Sequence, residues 1–488
     1  MTEALKRGWA IPVLCGVFIL LNALFMAQQV YWFSLLPIVL IIGWAMLAAP
    51  ERLLTFIAFA TPLSINLEQL ELGGIGVSLP TEPIMVGLTL LFLMKLAVEK
   101  GVVRVAVWRH PITWVIGAQL IWMALCVIPS SMPIVSFKFL SARIWFVTTM
   151  YFMIMRSFED PRNIHRFLWA YMSGLAVVVI YTLVRHAQYG FEHDPAHWVM
   201  SPFFKDHTSY GAILAFFIPF SLAAVGLPGY SLTRKGLAFV LLLILATGLV
   251  FSYTRAAWLS LIGAAGMFVV LRFRVPAWVI AAAVIVGGGV LYLEREQITI
   301  ALERNREESS DDMGQHVRSI SNISSDASNL ERINRWNSAL HMWQERPVFG
   351  WGPGTYMFQY APFQAAEDRT IISTNFGLNG NAHSEYLGPL AEQGVFGMLL
   401  MLALVITTVL TVLRLYTRMP DGRDRQLLLA VFLGLITYYL HAALNNFLDL
   451  DKAAVPFWAF TALVVLMDLK YPVVVAKEVG GEAMSETI

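Results

Sequence analysis

Asn381-Ala-His-Ser-Glu-Tyr-Leu-Gly-Pro-Leu-Ala-Glu-Gln-Gly-Val-Phe-Gly397 joins a long polar stretch to a long apolar one. It carries His383, Glu385 and Glu392 where the polarity changes. The apolar run that follows, 386–413, exceeds the ~20 residues a helix needs to cross a bilayer. Three ionisable groups at the edge of such a run place chemistry at a membrane surface.

Runs of this kind recur through the chain. Of the 488 residues, 57% are hydrophobic and only 14% charged, and the mean hydropathy is +0.64. That charge content is far below the usual quarter of a soluble protein, so the chain reads as an all-α integral membrane protein. Spans are expected near 11–27, 33–49, 53–67, 82–98, 112–129, 137–155, 165–184, 208–227, 236–252, 255–271, 275–292, 386–413, 426–446 and 454–469. This gives about fourteen transmembrane helices, with twelve as the alternative count. Cys15 and Cys126 both lie in apolar runs, which argues against a disulfide framework.

Arginine and lysine fix the expected orientation. Lys6/Arg7, Arg52, Lys100/Arg104/Arg109, Arg156/Arg162/Arg166, Arg234/Lys235, Arg272/Arg274, Arg414/Arg418/Arg423/Arg425 and Lys470/Lys477 fall in one set of connections. The positive-inside rule makes these cytoplasmic and puts both termini there. Four regions follow: N-terminal spans (1–202), central spans (203–292), a periplasmic loop (293–385), and C-terminal spans with a cytoplasmic tail (386–488).

The outer connections hold the informative residues. Residues 68–81 mix glycine with apolar residues and are expected to lie on the membrane surface. Residues 303–327 are polar and are expected to be mobile. Next, Ser328-Asn-Leu-Glu331 is a capping-box pattern, and Ile333, Trp336, Leu340 and Trp343 follow at helical spacing as an apolar face. Pro347, Gly350, Gly352, Pro353 and Gly354 should end that helix.

An N-cap at Asn381 would put His383 in the first turn of the following helix, where the positive helix end favours neutral imidazole. Glu385 and Glu392 could orient it. By position alone, His383 reads equally as a histidine at a membrane interface. Arg255 sits at the outer end of two closely joined spans, where an arginine either snorkels or pairs with an anion. With Lys205, His207, Arg185, Arg332 and Arg335 it could hold a pyrophosphate, because a guanidinium offers a planar fork to phosphate oxygens. Asp449-Leu-Asp451 offers two carboxylates to a divalent metal or, more simply, to a helix cap. The chain shows no Walker loop, no dinucleotide fingerprint and no His-x-x-x-His metal pair on a helix, so energy from nucleotide hydrolysis is not expected.

Four motifs resemble the O-antigen ligase and Wzy-type polymerase superfamily. They are Asp206-His-Thr-Ser-Tyr-Gly211, Phe251-Ser-Tyr-Thr-Arg-Ala-Ala-Trp-Leu259, the Arg332 to Gly354 stretch with its Arg346-Pro-Val-Phe-Gly-Trp-Gly, and the Asn381 to Gly397 stretch. They occur in the family's order between Phe203 and Phe447. The resemblance implies a GT-C-like, metal-independent, inverting glycosyltransferase of the bacterial inner membrane, with its active site on the periplasmic side. The donor would be a glycan on undecaprenyl pyrophosphate. The acceptor would be lipid A-core for a ligase or another lipid-linked glycan for a polymerase; nucleic acid is not an expected partner. His383 would be the base and Arg255 a pyrophosphate ligand, with Arg332, Lys205 and His207 in support. A transporter of lipid-linked glycan is the reading from another class. It needs charges at the membrane midplane, whereas here they gather at the outer surface.

Overall fold

A computed structural model describes residues 9–67, 76–276, 327–366, 380–472, 474–479 and 482–487, with scattered residues within 278–293 and 368–373. The expectations for 68–75, for most of 275–292 and for 303–326 lie outside the described residues.

The chain divides into two units, Met1–Leu53 and Leu54–Ile488. The first is a helical hairpin of α1 (Ala10–Ala27) and α2 (Leu36–Ala48), joined through a 3-10 turn at Tyr31–Leu35. Phe33 in the turn stacks on Phe18, with ring centroids 5.4 Å apart. Ser34 Oγ donates to Asn22 Oδ1 at 2.9 Å. Leucine, isoleucine and tryptophan side chains stand exposed around both helices, as on a helix that meets lipid on every side.

The second unit begins within α3 (Pro50–Ala60). It continues with α4 (Thr81–Val98), α5 (Pro111–Val127), α6 (Pro133–Val147), α7 (Pro161–Ala187), α8 (His207–Gly226), α9 (Leu232–Val250) and α10 (Arg255–Arg272). Then come α11 (Ala327–Glu345), α12 (Leu387–Arg418), α13 (Arg423–His441) and α14 (Asp451–Lys470). A two-residue ribbon pairs Ile65–Asn66 with Ser78–Leu79, and a terminal hairpin pairs Val474–Val479 with Glu482–Thr487.

The α14 helix is the axis of this unit and is buried on all sides, with Phe457, Trp458 and Phe460 in the core. It packs on α12, on α13 and on a π-helical turn, Thr148–Met153, through which α6 continues to Phe158. Around it, α8 packs on α9, α10 and α13, while α12 packs on α5 and α11.

The protein is a multi-pass helical membrane protein. Among the described residues, eight helical segments are long and apolar enough to cross a bilayer, and Ile11–Ala27 and Pro111–Val127 are shorter apolar helices. The expected span at 53–67 is helical only to Ala60. A helix of 11 residues reaches only ~16 Å, about half the hydrocarbon thickness. At one end of the second unit Arg418 pairs with Asp468, His110 Nε2 lies 3.2 Å from the same carboxylate, and Lys470 Nζ pairs with Asp424 at 2.6 Å. Arg423 reaches His165 at 2.6 Å there. The other end carries the starts of α8, α10, α12 and α14.

Candidate functional site

The site is built at the second of these ends. The loop before α12 is a sequence of side-chain-capped turns. Asn381 Oδ1 accepts from His383 N at 3.1 Å, and Ser384 Oγ accepts from the backbone N–H of Tyr386 and of Leu387 at 3.2 Å each. The helix therefore starts at Leu387, with Ser384 as the capping side chain, and His383 precedes it instead of occupying its first turn. His383 has φ +48°, a left-handed conformation that costs energy for a side chain of this size and is held by its surroundings.

Those surroundings come from three elements. Trp336 of α11 donates its indole N–H to the His383 carbonyl at 3.2 Å. His383 Nδ1 lies 3.3 Å from Asn445 Oδ1, in the connection between α13 and α14. Asn445 Nδ2 in turn lies 3.1 Å from His441 Nε2, and the backbone of Ala256 is within hydrogen-bond reach of the His441 ring. An amide oxygen can only accept, so the proton of neutral His383 sits on Nδ1 and the Nε2 lone pair is available. Burial, and then the charge of Arg332, push the His383 pKa down to about 4. The ring is neutral at physiological pH, as expected, but desolvation and a guanidinium do the work assigned to a helix terminus.

Arg255 is the first residue of α10. The turn before it is tied to α8 and to the connection before it: Thr254 Oγ1 donates to the His207 carbonyl at 2.8 Å, and Tyr253 OH to the Phe191 carbonyl at 2.9 Å. A Cβ on Gly211 would lie 2.7 Å from the Thr254 side chain, so glycine there lets the two helix starts meet. Asp206 Oδ1 caps α8 by accepting from Ser209 N at 2.7 Å. Arg332 sits in the first half of α11. Burial, then the neighbouring charge of Arg255, lower its pKa to about 10. Arg332 is thus close enough to Arg255 on one side and to His383 on the other for charge to be felt between them.

Several expected partners are placed elsewhere. Arg335 is buried against Glu331 at 2.6 Å and stacks over the Tyr360 ring at 3.9 Å. Glu331 also takes hydrogen bonds from Asn334 and Ser373, so it closes no capping box. The buried face of α11 is Glu331, Asn334, Arg335, Ser338, Ala339 and Met342, while Leu340 on the expected apolar face is exposed. Arg185 is taken up by Tyr181 OH and the carbonyls of Val199 and Ser201. Lys205 is exposed, and the carboxylate whose charge it acts on is Asp449.

Glu385 forms no hydrogen bond to the His383 ring among the described residues. Its Oε1 accepts from Tyr438 OH at 2.9 Å and from the backbone N–H of Phe447 and Leu448 at 2.6 and 2.7 Å. It pins the Asn445 connection to the His383 loop, and burial raises its pKa. Glu392 similarly accepts from Tyr356 N at 3.0 Å. The glycine-rich segment after α11 then docks into a break in α12. Val395 N donates to the Pro347 carbonyl at 2.9 Å, and Gly352 N to the Glu392 carbonyl at 2.8 Å. The break is at Gly394, φ +69°, where a Cβ would lie 2.0 Å from the Val348 oxygen. Asp449 and Asp451 point apart. Asp451 accepts from Ser64 at 2.5 Å and Thr81 at 2.6 Å, whereas Asp449 lines a ≈150 Å³ cavity with Arg143, Glu385 and Glu392. A metal held between the two aspartates is therefore not built.

A buried histidine thus stands beside Arg332 of α11, which in turn neighbours Arg255 of α10. Residues 239–402 match the family model described as O-antigen ligase, Wzy_C. This stretch, about a third of the chain, is similar to the O-antigen ligase family's domain. The matched segment contains Arg255, Arg332 and His383. O-antigen ligase family activity is of the ligase or polymerase type and serves surface polysaccharide assembly. No curated protein matches the chain. Asn445 and His441 lie beyond the matched segment and had no motif to mark them; their role is visible only once α13 folds back beside the His383 loop.

Proposed function

We propose that this protein transfers a glycan from undecaprenyl pyrophosphate to an acceptor hydroxyl at the periplasmic face of the inner membrane. His383 Nε2 takes the acceptor proton as the acceptor oxygen bonds to the anomeric carbon. The bond from that carbon to the pyrophosphate breaks, and its electron pair leaves with the lipid pyrophosphate. Arg255 and Arg332 offset the charge that develops there, with His207 in support. A single displacement of this kind inverts the anomeric carbon, and the activated donor requires no metal or nucleotide. The observation that supports this most is the His383–Asn445 contact, because it leaves Nε2 unprotonated on a ring that feels the charge of Arg332.

The low pKa of His383 fits a base that works only with donor in place. Arg332 is one cause of the depression. A pyrophosphate bound to that arginine cancels its charge and raises the basicity of His383 when the acceptor needs it. Glu385 serves the reaction by holding the Asn445 connection, and Lys205 stands at the edge of the site. We retain both termini on the cytoplasmic side, on the alternation of arginine and lysine.

Ligase and polymerase share this chemistry and differ in acceptor; lipid A-core is the acceptor we favour. Purified protein given defined lipid-linked glycan should transfer it only when lipid A-core is present. Chain extension without lipid A-core would make it a polymerase, and no transfer to either acceptor would reject the glycosyltransferase reading.

A further inference from the structure

The connection between α7 and α8 holds a cluster that the transfer reaction does not use. Glu192-His-Asp-Pro-Ala-His197 contains a His-x-x-x-His pair, interrupted by Pro195, that periodicity alone does not place on a helix. In the structure Asp194–His197 forms a single 3-10 turn. The turn brings the His193 and His197 rings to 4.8 Å between centroids. One ligand atom from each of His193, Asp194 and His197 lies within 4.8 Å of the other two. His193 Nδ1 and Asp194 Oδ1 are 3.5 Å apart. Two donors bound at ~2.0 Å to a tetrahedral ion stand ~3.3 Å apart.

The neighbouring contacts support the same use. His197 Nδ1 lies 3.1 Å from the Asp194 carbonyl oxygen. A proton on Nδ1 donates to that oxygen and leaves Nε2 as a donor atom, the arrangement in which metal-binding histidines are usually held. The His207 ring stands 4.3 Å from that of His197, and its Nδ1 is buried without a hydrogen-bond partner. His193 also meets the Tyr253 ring at 5.1 Å, two residues before Arg255.

We propose that His193, Asp194 and His197 bind a divalent transition-metal ion of the zinc class. Two imidazoles and a carboxylate suit zinc, copper or nickel and offer too few oxygens for calcium or magnesium. The ion fastens the 193–197 turn beside Tyr253, just before the start of α10, and adds positive charge near the basic site. It takes no part in proton or glycan transfer, so the site stands whatever the chain transfers.

Zinc binding to the full chain tests this directly. The protein is purified in detergent without a polyhistidine tag, stripped with EDTA and dialysed. Zinc is then titrated by calorimetry and the bound metal counted by elemental analysis. Wild type should bind about one ion per chain, with affinity at least about tenfold weaker in His193→Ala and in His197→Ala. His383→Gln should bind zinc as wild type does. Thermal unfolding in EDTA should be the same for wild type and His197→Ala, with zinc raising the midpoint of wild type alone. Equal zinc uptake by wild type and the His193→Ala/His197→Ala double variant would overturn the site, as would no uptake by wild type.

Discussion

Asn445 Oδ1 faces His383 Nδ1 at 3.3 Å, across 62 residues of sequence. The contact decides which nitrogen of His383 can accept a proton. Asn445→Leu should therefore lower kcat by about ten- to a hundredfold, while KM for the lipid-linked donor stays near wild type. Asn445→Asp offers Nδ1–H a carboxylate and should retain more activity, with the acid limb of the pH profile moved upward. Wild-type kcat in Asn445→Leu would remove Asn445 from the mechanism.

The electrostatic link between Arg332 and His383 gives a pH test. His383 has a folded pKa of about 4, below its ordinary value of 6.5. The neutral base is therefore present above about pH 4 in the free enzyme, and kcat/KM should fall only as pH drops towards that value. Arg332→Gln removes a cation, makes imidazolium easier to form and should shift this limb upward, while donor KM rises. The same pKa has a stability consequence. The unfolded chain binds the proton first, so the contribution of His383 to stability is intact above pH 6.5 and is lost as pH falls towards 4. A pH–rate profile unchanged by Arg332→Gln would break the proposed coupling.

Glu385 separates a holding role from a chemical one. Glu385→Ala leaves three buried donors, on Tyr438, Phe447 and Leu448, without an acceptor, at about 1–3 kcal/mol each. Its thermal midpoint should fall sharply. Glu385→Gln keeps a carbonyl oxygen in place and should fold normally and transfer glycan within a few-fold of wild type. A folded but inactive Glu385→Gln protein would instead make the carboxylate part of the proton path.

The membrane architecture and the His383, Arg255 and Arg332 positions were legible from the chain because their signals are local. Apolar runs, arginine placement and three short motifs each sit within a few residues. What stayed hidden depends on folding back. Asn445 and His441 look like ordinary polar residues at the end of a span until α13 returns beside the loop. Glu385, read as a partner of the ring two residues away, is turned to the opposite side by the capped turns around it. The helix at 327–345 was read from its apolar face alone. Its Glu331–Arg335 pair is buried because Tyr356 and Tyr360 pack over its face. The glycines after it mark a close docking onto Gly394, a relation between two distant segments that spacing cannot reveal. His193 and His197 are four apart in sequence but lie on no long helix, and only the 3-10 turn at Asp194–His197 shows that their rings meet.

The central claim is that His383 accepts the acceptor proton, and His383→Gln tests it most directly. Glutamine keeps size and polarity but takes up no proton near neutral pH. Membranes or purified protein carrying this variant should insert normally and bind the lipid-linked donor through Arg255 and Arg332. Single-turnover transfer of radiolabelled glycan should drop by about 10²–10⁴-fold. Transfer at the wild-type rate by a normally inserted His383→Gln protein would contradict the account.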